Sequence, residues 1–93
     1  MRVTVTYPLD EFCPLRTSTG DELGMVVYGD ATIAANDDEW EVADIALSAG
    51  HWSQRRKVTL DHGDPAFIMI ADALRRYRAD NIRDAISDAF ARV

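Results

Sequence analysis

Five carboxylates fall within the nine residues of "NDDEWEVAD", Asn36 to Asp44, with Trp40 among them. Carboxylates at this density can hold a cation, move protons, or meet a basic surface. Metal binding needs convergent ligands, and the two histidines offer no recognised spacing. His62 stands in "DHGDP" between Asp61 and Asp64, and His51 stands well before it, with no second histidine at i+4 from either. Asp64 is also needed to cap the helix that Pro65 opens. No metal and no cofactor are expected. Covalent catalysis has less to work with. Cys13 is the one cysteine, in "FCPL", with no base placed beside it by the sequence, and the five glycines are too scattered to form a phosphate-cradling loop. The expectation is a protein without catalytic residues.

Recognition is what remains. The candidate partner-binding residues are Asp30, Asp37, Asp38, Glu39, Trp40 and Glu41, with Asp10, Glu11, Asp21 and Glu22 continuing the acidic run. Carboxylates spaced on a sheet can occupy positions that a nucleic-acid backbone would fill on a basic protein, and their field steers association. Trp40 would then be an anchor. A plainer reading serves the same residues. Asn and Asp suit turns, outward charges discourage edge-to-edge strand pairing, and a strand tryptophan packs into a core.

Charge is unevenly spread along the chain. Residues 1–50 carry ten acids against two bases, a net of −8, while residues 51–93 carry six acids against eight bases, a net of +2. The total is −6 with a sequence pI near 4.6. The clusters "RRK" (55–57) and "RRYR" (75–78) suit phosphate contact and base stacking. A nucleic-acid-binding domain, however, is expected to be basic overall. Those arginines are better placed to complement a helix C-terminus and the surplus acids. Direct nucleic-acid binding is not expected.

These residues have to be positioned by a small fold. Ninety-three residues with 47% apolar side chains make one domain, 1–93, that buries roughly 60–65% of its unfolded surface. A lone cysteine gives no internal disulfide, no apolar run approaches the ~20 residues of a membrane span, and the first residues carry no signal-peptide core. A cytoplasmic protein with no membrane contact is expected.

Strict alternation in "RVTVTY" predicts a strand ended by Pro8, and the unpatterned stretch from Pro8 to Leu23 predicts a long loop. "GMVVYGDATIAA" predicts either one strand carrying a bulge or a hairpin turning at Gly29-Asp30. In "EWEVADIAL" the alternation begins on Trp40 and Val42 and then shifts to Ala43, Ile45 and Leu47, as either a bulge or a strand with both faces partly covered would show. "SAGHWSQ" predicts a turn, and Arg56 to Leu60 a short closing strand. Asp64 and Pro65 then open a helix with Phe67, Ile70, Ala71, Leu74 and Tyr77 on one face. Asp80 is expected to cap a second helix, with Ile82, Ala85, Ile86, Ala89, Phe90 and Val93 as its stripe. The fold class is α+β: a small antiparallel sheet of 3–4 strands packed by two C-terminal helices.

This order of a "VTVTY" strand, a "CP" loop, a hairpin, a "GDP"-started helix and a final amphipathic helix resembles small proteins encoded in bacteriophage and prophage genomes. Anti-CRISPRs are among them. The resemblance implies a small, acidic, non-catalytic inhibitor in the host cell cytoplasm, whose partner is a basic surface of a CRISPR effector complex. It transfers no functional residue. A second expectation is an accessory or antitoxin-like protein that forms a homodimer or larger homo-oligomer through its last helix.

Overall fold

The computed structural model describes residues 2–15, 17, 19, 21–22, 24, 26–49 and 56–92. Four antiparallel strands run in sequence order across one sheet: β1 (Val3–Phe12), β2 (Val27–Ala35), β3 (Trp40–Ala49) and β4 (Arg56–Thr59). Helices α1 (Pro65–Tyr77) and α2 (Ala79–Ala91) follow. The expected α+β class, an antiparallel sheet of 3–4 strands with two C-terminal helices, is the fold observed, with four strands.

Alternation decides which face of the sheet is buried. Val3 and Leu9 of β1 and Ala31, Ile33 and Ala35 of β2 are inside, and the intervening Thr4, Thr6 and Pro8 are exposed. Val42 and Ile45 continue the inner face, which meets Phe67, Ile70 and Leu74 of α1 and Ile82 and Ile86 of α2. The apolar stripe expected on the last helix is therefore covered largely by the chain's own core. Ile82 is fully buried and Ile86 nearly so, with Phe90 half-buried beside them. Val93 lies outside the described residues.

The phase shift in "EWEVADIAL" is a bulge. Thr32 pairs with Asp44 but Ile33 pairs with Val42, which leaves Ala43 as the extra residue. Without it, Trp40 and Val42 could not share a face with Ile45 and Leu47. The Gly29-Asp30 pair, in contrast, neither turns nor bulges the chain: β2 runs through it with Gly29 paired to both Leu9 and Leu47. Gly29 has φ +148°, and a Cβ there would collide with the Ala46 carbonyl oxygen, with Leu47 Cα only 2.9 Å away. Glycine is what lets β2 and β3 approach at this point.

Several boundaries differ from the sequence reading. Pro8 does not end β1, which continues to Phe12. β1 is an edge strand, and an edge tolerates the missing N–H of proline. The strand changes character further on, where Asp10 and Glu11 together stand opposite Tyr28, and Glu11 takes φ +50°. The connecting loop thus starts at Cys13 rather than at Pro8. Likewise, Asp80 is not the cap of α2. Only Arg78 separates the helices, and it is both the C-cap of α1 and the N-cap of α2, with no side-chain cap bond at the start of α2. Its carbonyl already accepts the first α2 bond, from Ile82 N at 2.9 Å. Asp80 sits in the first turn, where its charge still favours the helix dipole. Of the expected "SAGHWSQ" turn, Ser48 and Ala49 belong to β3, and the remainder lies outside the described residues.

The start of α1 is as expected. Pro65 occupies the first turn, and Asp64 Oδ1 accepts a hydrogen bond from Ala66 N at 2.8 Å. Asp64→Ala should lower stability by about 0.5–2 kcal/mol in chemical denaturation. Gly29→Ala should cost more than about 2 kcal/mol, because backbone strain and a backbone clash combine there. A Gly29→Ala protein as stable as the parent would mean that the two strands are not in close contact at this point.

Candidate interaction surface

The β2–β3 hairpin is built around Asn36. Its side-chain Oδ1 accepts from Asp38 N at 2.9 Å and Glu39 N at 2.8 Å, and its own N–H donates to the Glu39 carbonyl at 2.9 Å. An Asx turn of this kind fixes the backbone of the two residues it spans. Asp37, Asp38 and Glu39 therefore stand exposed at a defined tip, with Trp40 opening β3 directly after them. Among the described residues, the Asp38 and Glu39 carboxylates form no ion pair.

The other two candidate carboxylates are used differently. Glu41 is on the solvent face opposite Ala34, and its Oε1 meets Arg2 Nη2 at 3.1 Å. Asp30 pairs with Lys57 across the sheet and lies five residues up β2 from Ala35, roughly 17 Å from the tip at strand spacing. The six candidate residues thus divide into a contiguous tip, residues 37–41, and a separate Asp30–Lys57 pair. The surface continues poorly beyond the hairpin: Asp21 in the long loop accepts from Thr19 at 2.9 Å, and Glu11 near the end of β1 accepts from Tyr28 at 3.4 Å.

Trp40 has two roles in the packing. Its side chain is half-buried against the core, while Arg75 of α1 places its guanidinium carbon 5.7 Å from the ring centroid. That separation is within cation–π range. Its remaining surface lines a groove of about 320 Å³ between the tip and α2, with Ile86 and Phe90 as apolar wall and Asp38, Glu39 and Arg83 at the rim. Arg75 and Arg83 were not legible as neighbours of the acidic stretch. They lie more than 30 residues away in sequence, and only the packing of α1 and α2 under the sheet brings them there.

Several members of the basic clusters are similarly occupied. Lys57 meets Asp30, Arg76 meets Asp72 at 3.0 Å one helical turn away, and Arg78 lies over the Phe12 ring at 5.6 Å. Arg55 is outside the described residues. His62 stacks on Phe67 with centroids 4.7 Å apart and approaches Asp44 at 3.7 Å, while His51 is outside the described residues. No group of three or more metal-ligating side chains gathers among the described residues. Cys13 is buried, and its thiol donates to the Leu15 carbonyl at 3.0 Å. No described helix is long and apolar enough to cross a membrane.

No protein-family model matches the chain, and no curated protein or solved structure matches it either.

Because Trp40 supports both the core and the groove, its truncation should cost stability as well as shape. Trp40→Ala is expected to lose about 1.5–3 kcal/mol, less than a fully buried tryptophan would. Trp40→Phe should keep most of that. A Trp40→Ala protein with unchanged melting temperature would place the ring outside the core.

Proposed function

We propose that the protein is a non-catalytic protein-interaction module that presents the β2–β3 tip to a basic protein surface. One observation carries this reading: the tip is held rigid by Asn36 while Asp38 and Glu39 are left without an internal ion pair among the described residues. A preformed turn loses little conformational entropy on docking, and fixed carboxylates give both steering and selectivity for cationic partners. Trp40 and the adjoining groove supply an apolar seat beside the charges. The partner that fits is a nucleic-acid-handling protein whose lysines and arginines otherwise contact phosphate. In its specific form, implied by the resemblance noted above, the protein acts in the host cytoplasm as an anti-CRISPR-type inhibitor of a CRISPR effector complex.

Reversal of Asp37, Asp38 and Glu39 to lysine tests the tip. Solvated changes of this kind typically shift stability by no more than about ±0.5 kcal/mol each. The expected result is a folded variant that no longer retains the basic proteins captured by the parent from bacterial lysate, with parental capture weakening steeply as salt is raised. In a purified system, the parent should reduce target-DNA binding by an effector complex, and the variant should not. The reading fails if the folded variant captures and inhibits as the parent does.

A further inference from the structure

We propose that the N-terminal half of β1 is the seam of a homodimer, in which two copies pair antiparallel through Thr4–Thr6 and flank the seam with α2. Among the described residues β1 bonds to β2 alone, and no described strand pairs with its other side. Exposed edges are normally blunted by proline, by bulges or by brevity. In β1 the proline and the bulge lie at Pro8 and at Asp10–Glu11, and β4 at the opposite edge is only four residues long. Residues 3–7 carry neither a proline nor a bulge among the described residues. A groove of about 360 Å³ runs along this stretch, with Thr4, Val5 and Thr6 as one wall and Ala85, Asp88, Ala89 and Arg92 of α2 as the other.

The occupant that fits is a second copy. A two-fold interface requires each residue i to meet residue j while j meets i. Antiparallel pairing centred on Val5 sets Thr4 against the partner's Thr6 on the solvent face and Val3 against the partner's Tyr7 on the inner face. Both are favourable cross-strand pairs. The charges of α2 are self-complementary in the same sense. Asp88 and Arg92 are exposed and form no ion pair among the described residues. Antiparallel helices across the axis bring Asp88 beside the partner's Arg92, and Arg92 beside the partner's Asp88. Ala85 and Ala89 leave room for that approach. With one acid and one base, the groove wall selects neither an acidic nor a basic peptide. The seam takes only Ala85 and Ala89 from the apolar stripe of α2, since Ile82 and Ile86 are in the monomer's own core. It shares no residue with the acidic tip, so either proposal can fail without the other.

Sedimentation equilibrium of the full chain, with Asp88→Arg and Arg92→Glu variants, tests the seam. Wild type is expected at twice its 10.4 kDa chain mass. Each variant alone sets like charges across the axis twice and should dimerise at least about tenfold more weakly. An equimolar mixture of the two restores opposite charges on both sides and should regain the dimer mass. Hydrogen exchange on wild type gives a second reading that needs no substitution: the amides of residues 4–6 that face away from β2 should exchange more slowly as concentration rises. A wild-type protein that sediments as a monomer overturns the proposal, as does concentration-independent exchange at these amides. So do single variants that dimerise as tightly as wild type.

Discussion

The structure depends on burying one face of a four-stranded sheet under two short helices that meet at a single residue, Arg78. The contact is made chiefly by branched aliphatic side chains: Ile33 and Ile45 from the sheet, Ile70 and Leu74 from α1, and Ile82 from α2, all essentially inaccessible to solvent. Each contributes about 1.5–3 kcal/mol on burial, which for a domain of this size is a large share of what opposes chain entropy. Because there is only one such layer, every polar decision follows from it. Charged residues have the other sheet face, the strand ends and the outer helix faces, and no polar or charged residue is buried among those described.

That constraint explains how the charge asymmetry along the chain is resolved in space. The acid-rich first half and the base-rich second half are not separate lobes, because β4 and both helices pack directly against the first three strands. Lys57 reaches Asp30 from β4, Arg75 covers Trp40 from α1, and Arg83 borders the groove beneath the tip. Exposed pairs of this kind add at most about 1 kcal/mol each, so their main effect is on where negative potential survives. At the hairpin tip, Asp38 and Glu39 have no such pair among the described residues.

Features that depend on near neighbours were legible in the sequence. The Asp64-Pro65 helix start is a contact across two residues, and the bulge at Ala43 appears directly as a one-residue shift in alternation. The acidic turn followed from Asn36 and the aspartates after it, because an Asx turn closes on itself. Other features needed tertiary context. Pro8 reads as a strand end unless its strand is known to be an edge, and nothing local announces that position. Asp80 resembles a cap until the two helices are found to share Arg78. Gly29-Asp30 resembles a turn because the reason for the glycine, the Ala46 carbonyl, lies on the next strand. The division of the candidate carboxylates into a tip and a separate Asp30–Lys57 pair is likewise set by strand register, which composition does not encode.

An acidic chain would ordinarily resist self-association, since two copies bring together twelve excess negative charges, six from each. The geometry of the β1 seam limits that cost. The acidic tip adjoins Val3, because Val3 pairs with Ala35 and the turn follows at once. Antiparallel pairing about Val5 sends the N-terminal ends of the two β1 strands in opposite directions. The tips therefore fall at opposite corners of the joined sheet, roughly 30 Å apart from strand spacing and rise. That distance is several Debye lengths at physiological salt, where screening acts over about 8 Å. In the proposed dimer, repulsion between the tips would thus be largely screened, while the Asp88 and Arg92 contacts would be made at close range. Such a dimer would also display two acidic tips on one rigid body, and a partner with two basic sites at matching separation would bind it with the gain in effective concentration that a single tip lacks.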